Sequence, residues 1–175
     1  MAYYSVEGKT REQLRDLATF LRNKLQLDDV LYFPIVELLE IMPEYFPGFS
    51  YEIVSDDELP AGNHAETDVI NWHITIKETV YNRACAGEGR DRMTIAHEIA
   101  HFITLCVCGF KLARSFIKPK TFEDPEWQAK CFAGELMIPK HLIGDMTPVQ
   151  VASVCGVSYD AAKYQCQKYH GGDVD

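Results

Sequence analysis

The sequence predicts an α+β fold in which a small mixed or antiparallel sheet packs on one helix bearing His-Glu-x-x-His, with further helices towards both ends of the chain. Three observations predict it. Apolar residues recur at helical spacing before residue 45 and again after residue 125. Two stretches before residue 80 alternate apolar with polar or small residues, the period of a strand. Between them and the last helices lies a segment whose non-motif residues are nearly all apolar, and a helix of that kind is buried on most sides. A chain of 175 residues, 47% hydrophobic and 25% charged, makes one domain or a small domain with an appendage and buries enough surface to fold without staples.

Residues 10–27 read as the first helix, because Leu14, Leu17, Ala18, Leu21 and Leu25 share a face and Thr10 stands where a cap is needed. A second helix starts near Pro34, continues through Ile35, Val36, Leu38, Leu39 and Ile41, and is limited by Pro43. Pro47-Gly48 turns the chain into a strand over 49–54, on the alternation of Phe49, Tyr51 and Ile53. Residues 55–68 are polar, hold Pro60, Gly62 and Asn63, and read as a loop. Residues 69–80 read as a second strand, with Trp72, Ile74 and Ile76 alternating with His73, Thr75 and Lys77. Gly87-Glu88-Gly89 interrupts the pattern, Asp91 caps a helix over 92–107, and Gly109 closes it. A connector over 119–124 leads to a helix opened by Pro125 and ending at Met137, followed by a short helix over 140–143. Two last helices, 147–154 and 158–169, flank Cys155-Gly156-Val157, and 171–175 form a frayed tail. The chain is thus expected to comprise a body over 1–143, which includes the N-terminal helices, and a helical pair over 144–170.

Composition narrows the function. The net charge of −9 opposes broad binding to nucleic acid, which depends on neutralising phosphates. No run approaches the roughly 20 apolar residues that span a bilayer, and the first residues lack the basic start and apolar stretch of a signal peptide, so a cytoplasmic protein with no membrane partner is expected. Under that expectation the six cysteines, Cys85, Cys106, Cys108, Cys131, Cys155 and Cys166, are reduced, small, buried apolar residues. Cys106-x-Cys108 lacks the spacing of a zinc ribbon.

The chemistry concentrates at His97-Glu98-Ile99-Ala100-His101. Two histidines four residues apart lie one turn apart on one helical face, from which both imidazoles can bind one zinc ion. Glu98 sits beside them, placed as the base that takes a proton from water. Burying two histidines and a glutamate among Ile95, Ala96, Ile99, Ala100, Phe102, Ile103 and Leu105 costs free energy unless they have partners, and a metal ion is such a partner. A catalytic zinc takes a third protein ligand and leaves a position open. Glu126 shares a face with Ala129 and Ala133, whose small side chains allow close approach to the zinc helix; Glu123, Asp124, Glu135 and His141 compete with it. The extended zincin pattern with a further Gly and His is excluded, because Thr104 and Val107 occupy those positions.

Arg90-Asp91-Arg92-Met93-Thr94-Ile95-Ala96-His97-Glu98-Ile99-Ala100-His101, followed by Glu126-x-x-Ala129-x-x-Phe132-Ala133-x-x-Leu136-Met137-Ile138-Pro139, resembles the ImmA/IrrE family of metallo-endopeptidases across about residues 70–143. Met93 departs from the Phe usual there, and 135–138 depart slightly from the consensus; neither touches a ligand. The resemblance implies a compact zincin-like fold, one zinc held by His97, His101 and Glu126, and Glu98 as catalytic base. It also implies a protein substrate, typically a helix-turn-helix transcriptional repressor, in a cytoplasmic mobile-element, stress-response or toxin–antitoxin circuit. A zinc-containing regulatory protein that binds a repressor or toxin without cutting it is the alternative.

Two questions stay open in the sequence. Cleavage needs a donor for the developing oxyanion; His64, His73, Tyr81 and Arg92 are candidates, each read first as a structural residue, and the strand through Ile74 and Ile76 either offers an edge for an extended substrate or has both edges paired. The last two helices have the rhythm of a helix-turn-helix, with Ala152, Gly156 and Ser158 at the corner. Between 147 and 169 the only basic residues are Lys163 and Lys168, so a packed or partner-binding helical pair is expected rather than direct DNA binding.

Overall fold

The computed structural model describes residues 3–107, 113–115 and 118–171. Along the chain run β1 (Tyr3–Ser5), α1 (Arg11–Lys24), α2 (Ile35–Tyr45), β2 (Ser50–Val54), β3 (Ala65–Asp68), β4 (His73–Lys77), α3 (Glu78–Cys85) and α4 (Gly89–His101). A π-helical turn over Phe102–Val107 continues α4. Then come β5 (Ala113–Ser115), a 3₁₀ turn over Thr121–Glu123, α5 (Pro125–Met137), α6 (Lys140–Ile143), α7 (Pro148–Cys155) and α8 (Tyr159–His170). The mixed α+β class is as expected, with a three-stranded mixed sheet ordered β2-β4-β3. β2 runs parallel to β4, Ile53 opposite Ile76, and β3 runs antiparallel to it, Thr67 opposite Ile74. β1 and β5 form a separate antiparallel pair that the sequence reading did not foresee.

Helix α4 is the axis of the core. It packs on α2, α3, α5 and the sheet, and Ile95, Ala96, Ile99 and Ala100 are fully buried. Beyond it Phe102 is enclosed by the rings of Phe46, Phe49 and Trp72, with centroids 5.3, 4.7 and 5.6 Å away. The helix starts at Gly89, two residues before the expected cap. Asp91 instead lies in the first turn, buried, and accepts an ion pair from Arg83 Nε at 2.8 Å. An early glycine is required there: a Cβ on Gly89 would lie 2.3 Å from the backbone of Val157, in the corner between α7 and α8. The expected closure at Gly109 lies outside the described residues.

The stretch 69–80 is not one strand. Asp68 Oδ1 accepts from the backbone of Ile70 and Asn71 at 2.9 and 3.0 Å, closing a turn that reverses the chain with Trp72 at φ 54°. β4 then spans five residues and α3 follows at once. Thr79 in its first turn donates its N–H to Asp56 Oδ1 at 3.1 Å, a capping contact from 23 residues upstream. The expected loop over 55–68 contains β3, of which only Ala65 is buried. In α2, Pro43 lies inside the helix rather than ending it; being in the last turn it interrupts little, and Phe46 N–H still reaches Met42 O at 2.9 Å.

The other helices are tied by buried arginines. Arg22 of α1 donates to Leu136 O at 2.7 Å, and Arg11 and Arg15 converge on Glu135 of α5 at 3.1 and 2.9 Å. Arg92 of α4 donates to Gly156 O at 2.8 Å and to Phe33 O at 2.6 Å, and its guanidinium lies 3.8 Å from the Tyr32 ring centroid. Gly156 itself closes α7 at φ 62°, where a side chain would strike Tyr32. Tyr169 of α8 places its hydroxyl 2.7 Å from Ile138 O. Of the cysteines, Cys131, Cys155 and Cys166 are buried as expected, Cys106 is half-buried and Cys85 is exposed, while Cys108 lies outside the described residues.

Candidate metal centre and active site

Three segments meet at one cleft. Helix α4 presents His97 and His101 from successive turns, their rings edge to face with centroids 4.6 Å apart. The first turn of α5 presents Glu126. Asp124 is the cap of that helix, accepting from the Glu126 backbone at 3.0 Å, which leaves the Glu126 side chain directed at the imidazoles. The Nε2 atoms of His97 and His101 are 3.1 Å apart, and each lies 3.3 Å from an oxygen of Glu126. Hydrogen bonds from His101 and His97 hold the Glu126 carboxyl well below the usual carboxylate range, so it is ionised at neutral pH.

These distances test whether the residues fit a metal ion. Zinc binds nitrogen and carboxylate oxygen at about 2.0–2.2 Å, and two such ligands at a tetrahedral angle lie about 3.3–3.5 Å apart. The three edges here, 3.1, 3.3 and 3.3 Å, come within a few tenths of that. The donor set of two imidazoles and one carboxylate, with a position left for water, suits a catalytic zinc. Among the described residues, these three form a cluster that could hold a metal ion. The competing carboxylates and His141 do not join it. Glu123 bonds the backbone of Lys120, Asp124 caps α5, Glu135 is buried against Arg11 and Arg15, and His141 Nε2 lies 2.9 Å from Asp28 O.

Glu98 lines the same cleft and is 8% exposed. Its Oε2 accepts a hydrogen bond from Thr67 Oγ1 at 2.7 Å; the same hydroxyl lies 3.1 Å from the Glu98 carbonyl. A hydroxyl carries one proton, and the shorter, charge-assisted bond takes it. The carboxylate is therefore held in one orientation by the strand that borders it. Thr67 was missed in the sequence because β3 reads as loop: Ala65-Glu66-Thr67-Asp68 has no apolar alternation.

None of the four expected oxyanion donors lines this cleft. His73 is engaged with Ser50 Oγ at 2.7 Å and Glu52 at 3.4 Å, Tyr81 donates to Glu40, and Arg92 is committed to Gly156 and Phe33. His64 lies 3.5 Å from Arg90. Side chains with a donor group that do line it are Tyr4, half-exposed on β1, Asn63, whose amide bonds Glu66, and Thr67, whose hydroxyl bonds Glu98. Of the two readings of the strand through Ile74 and Ile76, the paired one holds: β4 is central, paired on both sides, and β3 is the strand that borders the cleft.

A helix-borne pair of imidazoles, a carboxylate from a second helix and an oriented glutamate meet in one cleft as a candidate metal centre. Residues 57–167 match the model of a peptidase family described as the IrrE N-terminal-like domain, and the chain belongs to that family. The matched range begins before β3 and extends through α7 and most of α8. No curated protein gives a significant match. Among solved structures, a Mycobacterium tuberculosis transcriptional regulator is similar with a TM-score of 0.55 at 15% identity, over 88% of this chain and 46% of that one. At that identity the likeness is one of fold, and this chain spans less than half the length of that regulator.

Proposed function

We propose that the chain is a zinc-dependent endopeptidase that hydrolyses a peptide bond in a protein substrate. His97, His101 and Glu126 hold one zinc ion, and Glu98 is the general base. The observation that carries this reading is the coincidence, in one cleft, of three ligand atoms 3.1–3.3 Å apart with the carboxylate of Glu98 fixed by Thr67. A protein that only bound its partner would need no oriented Glu98 there.

When bound to these residues, a zinc ion would make water far more acidic, towards neutral pH, and would polarise a carbonyl. Glu98 takes the proton of the attacking water and returns it to the leaving amine. Thr67 keeps the accepting oxygen directed, and Tyr4 supplies a phenol hydroxyl for the oxyanion. β3, unpaired on its outer side among the described residues, offers backbone groups to an extended substrate. The substrate class follows from the resemblance, a helix-turn-helix transcriptional repressor in a cytoplasmic mobile-element, stress-response or toxin–antitoxin circuit. No helix among the described residues is long and apolar enough to cross a membrane.

The test is Glu98→Gln. It keeps size and zinc content but cannot accept the proton, so cleavage of a fluorogenic peptide library or of a candidate repressor should fall at least about 10²-fold. Equal rates for wild type and variant would remove Glu98 from the mechanism. A wild-type protein that binds zinc and cuts neither would remove the peptidase reading.

A further inference from the structure

Beside the metal cleft lies a larger concavity of about 580 Å³ between α4, α5 and α8. His97 belongs to the walls of both, so the two hollows meet at one imidazole. The floor of the larger one is apolar, built from Met93, Ala133 and Ala161 with the ring of Tyr164. Its depth depends on a close approach of α5 to α8: a Cβ on Gly134 would lie 2.8 Å from Gln165 Oε1. A cavity of this volume accommodates several side chains of a bound peptide.

The rim carries basic side chains. Exposed Arg90 and Lys130 line it, and Lys168 stands behind Tyr164, the two lysine Nζ atoms 5.5 and 5.8 Å from that ring centroid. Asp160 is the one carboxylate lining the groove. On a chain of net charge −9 this is a local excess of positive charge around an apolar floor. Continuity with the cleft and the sign of the rim together specify an occupant.

We propose that this groove is the substrate-recognition site of the peptidase, and that it takes an apolar side chain flanked by carboxylates in the protein substrate. The segment lies over Met93 and Ala161 with its acidic neighbours against Arg90 and Lys130, and the scissile bond reaches the metal cleft past His97. The proposal rests on the peptidase reading for its purpose but not for its test.

The probes are three fluorescein-labelled octapeptides with the same Leu-Phe core, flanked by glutamates, serines or lysines. Their binding to zinc-loaded Glu98→Gln protein is followed by fluorescence anisotropy at low salt. The expected result is that the glutamate peptide binds at least tenfold more tightly than the lysine peptide, with serine between. Arg90→Glu with Lys130→Glu, both at exposed positions, should reverse that order, and Ala161→Trp should weaken all three by filling the floor. Carbon-13 methyl resonances of Met93 should shift on titration. Equal affinity for the three peptides, an order unaffected by charge reversal, or displacement of the glutamate peptide by random duplex DNA would overturn the proposal. Binding in the expected order by a protein that cuts no peptide would refute the peptidase reading and leave the recognition site standing.

Discussion

Replacing Glu135 by Leu tests what holds the helices around the metal centre in place. The Glu135 side chain is fully buried and receives Arg11 at 3.1 Å, Arg15 at 2.9 Å and the Tyr169 hydroxyl at 2.8 Å, joining α1, α5 and α8. Arg15 is 19% exposed and can turn to water when its partner goes. Arg11, 1% exposed, cannot, and the Tyr164 hydroxyl, 3.2 Å from Nη2, is a weaker acceptor than the carboxylate it loses. Removing one member of a buried ion pair costs about 3–5 kcal/mol, mostly as the penalty of the charge left behind. Native domains are stable by about 5–15 kcal/mol, so the loss is a large fraction of the total. In a domain of this length each kcal/mol moves Tm by about 2–4 °C, which gives a fall of about 6–20 °C. Urea unfolding should show a lower midpoint with the slope unchanged. The double variant Arg11→Met with Glu135→Leu should recover most of the loss, because it removes the orphaned charge. A single variant within 1 kcal/mol of wild type, or a double variant no better than the single, would refute this account of the cluster. Zinc affinity well below the transition should not change, since no member of the cluster touches His97, His101 or Glu126.

Other expectations follow from the site. Isothermal titration should find one zinc per chain, and His97→Ala, His101→Ala or Glu126→Ala should each weaken it by more than about a hundredfold, beyond the usual cost of losing a group behind a ligand. Asp124→Ala should cost only about 1 kcal/mol as a lost helix cap and leave the stoichiometry at one; loss of zinc there would reassign the third ligand. Thr67→Val should keep zinc and fold, yet lower kcat by about tenfold to a hundredfold, the worth of a hydrogen bond to a charged group, with Thr67→Ser restoring it; an unchanged kcat would show that Glu98 needs no support. The C-terminal pair should not bind random duplex DNA at low salt, because Gln165, one of the side chains needed to read bases, is 1% exposed and bonded to Tyr169. Micromolar binding abolished by Lys163→Glu and Lys168→Glu would overturn that.

What was legible in the sequence was what one segment determines by itself. The periodicity of α1, the capping residues Thr10 and Ser158 and the opening of α5 at Pro125 are local signals, and each element stands within a few residues of its expected place. The one-turn spacing of His97 and His101, with Glu98 beside them, was legible for the same reason, since one helix sets it. What failed depends on distant partners. α3 is capped by Asp56, β3 is a strand only because β4 lies beside it, and β1 pairs with residues more than a hundred positions away. Thr67 and Tyr4 reach the cleft from two of these elements, so no local pattern marked them. The oxyanion candidates failed in the opposite way: His73, Tyr81 and Arg92 have suitable chemistry, but their hydrogen bonds are committed elsewhere.

The geometry of the candidate metal centre follows from this division between local and distant determinants. Two of its donor atoms are set one helical turn apart by α4 alone, but the third depends on how closely α5 approaches. Ala129 and Ala133, on the face of α5 that Glu126 begins, are 0% and 1% exposed, and α5 packs directly on α4. Their small side chains let the helices close until the Glu126 oxygens stand 3.3 Å from both imidazoles. The helix–helix contact therefore fixes the donor spacing, and an apolar core spanning α1 to α8 maintains it. This is the reverse of a small zinc domain, where binding the ion is itself the folding free energy. In this chain the three candidate donors are preorganised by packing, so the free energy of binding a metal ion would not have to assemble them. A bulkier residue at Ala129 or Ala133 would act at a distance from the ligands, spreading the Glu126 oxygens from the imidazoles while leaving every donor present.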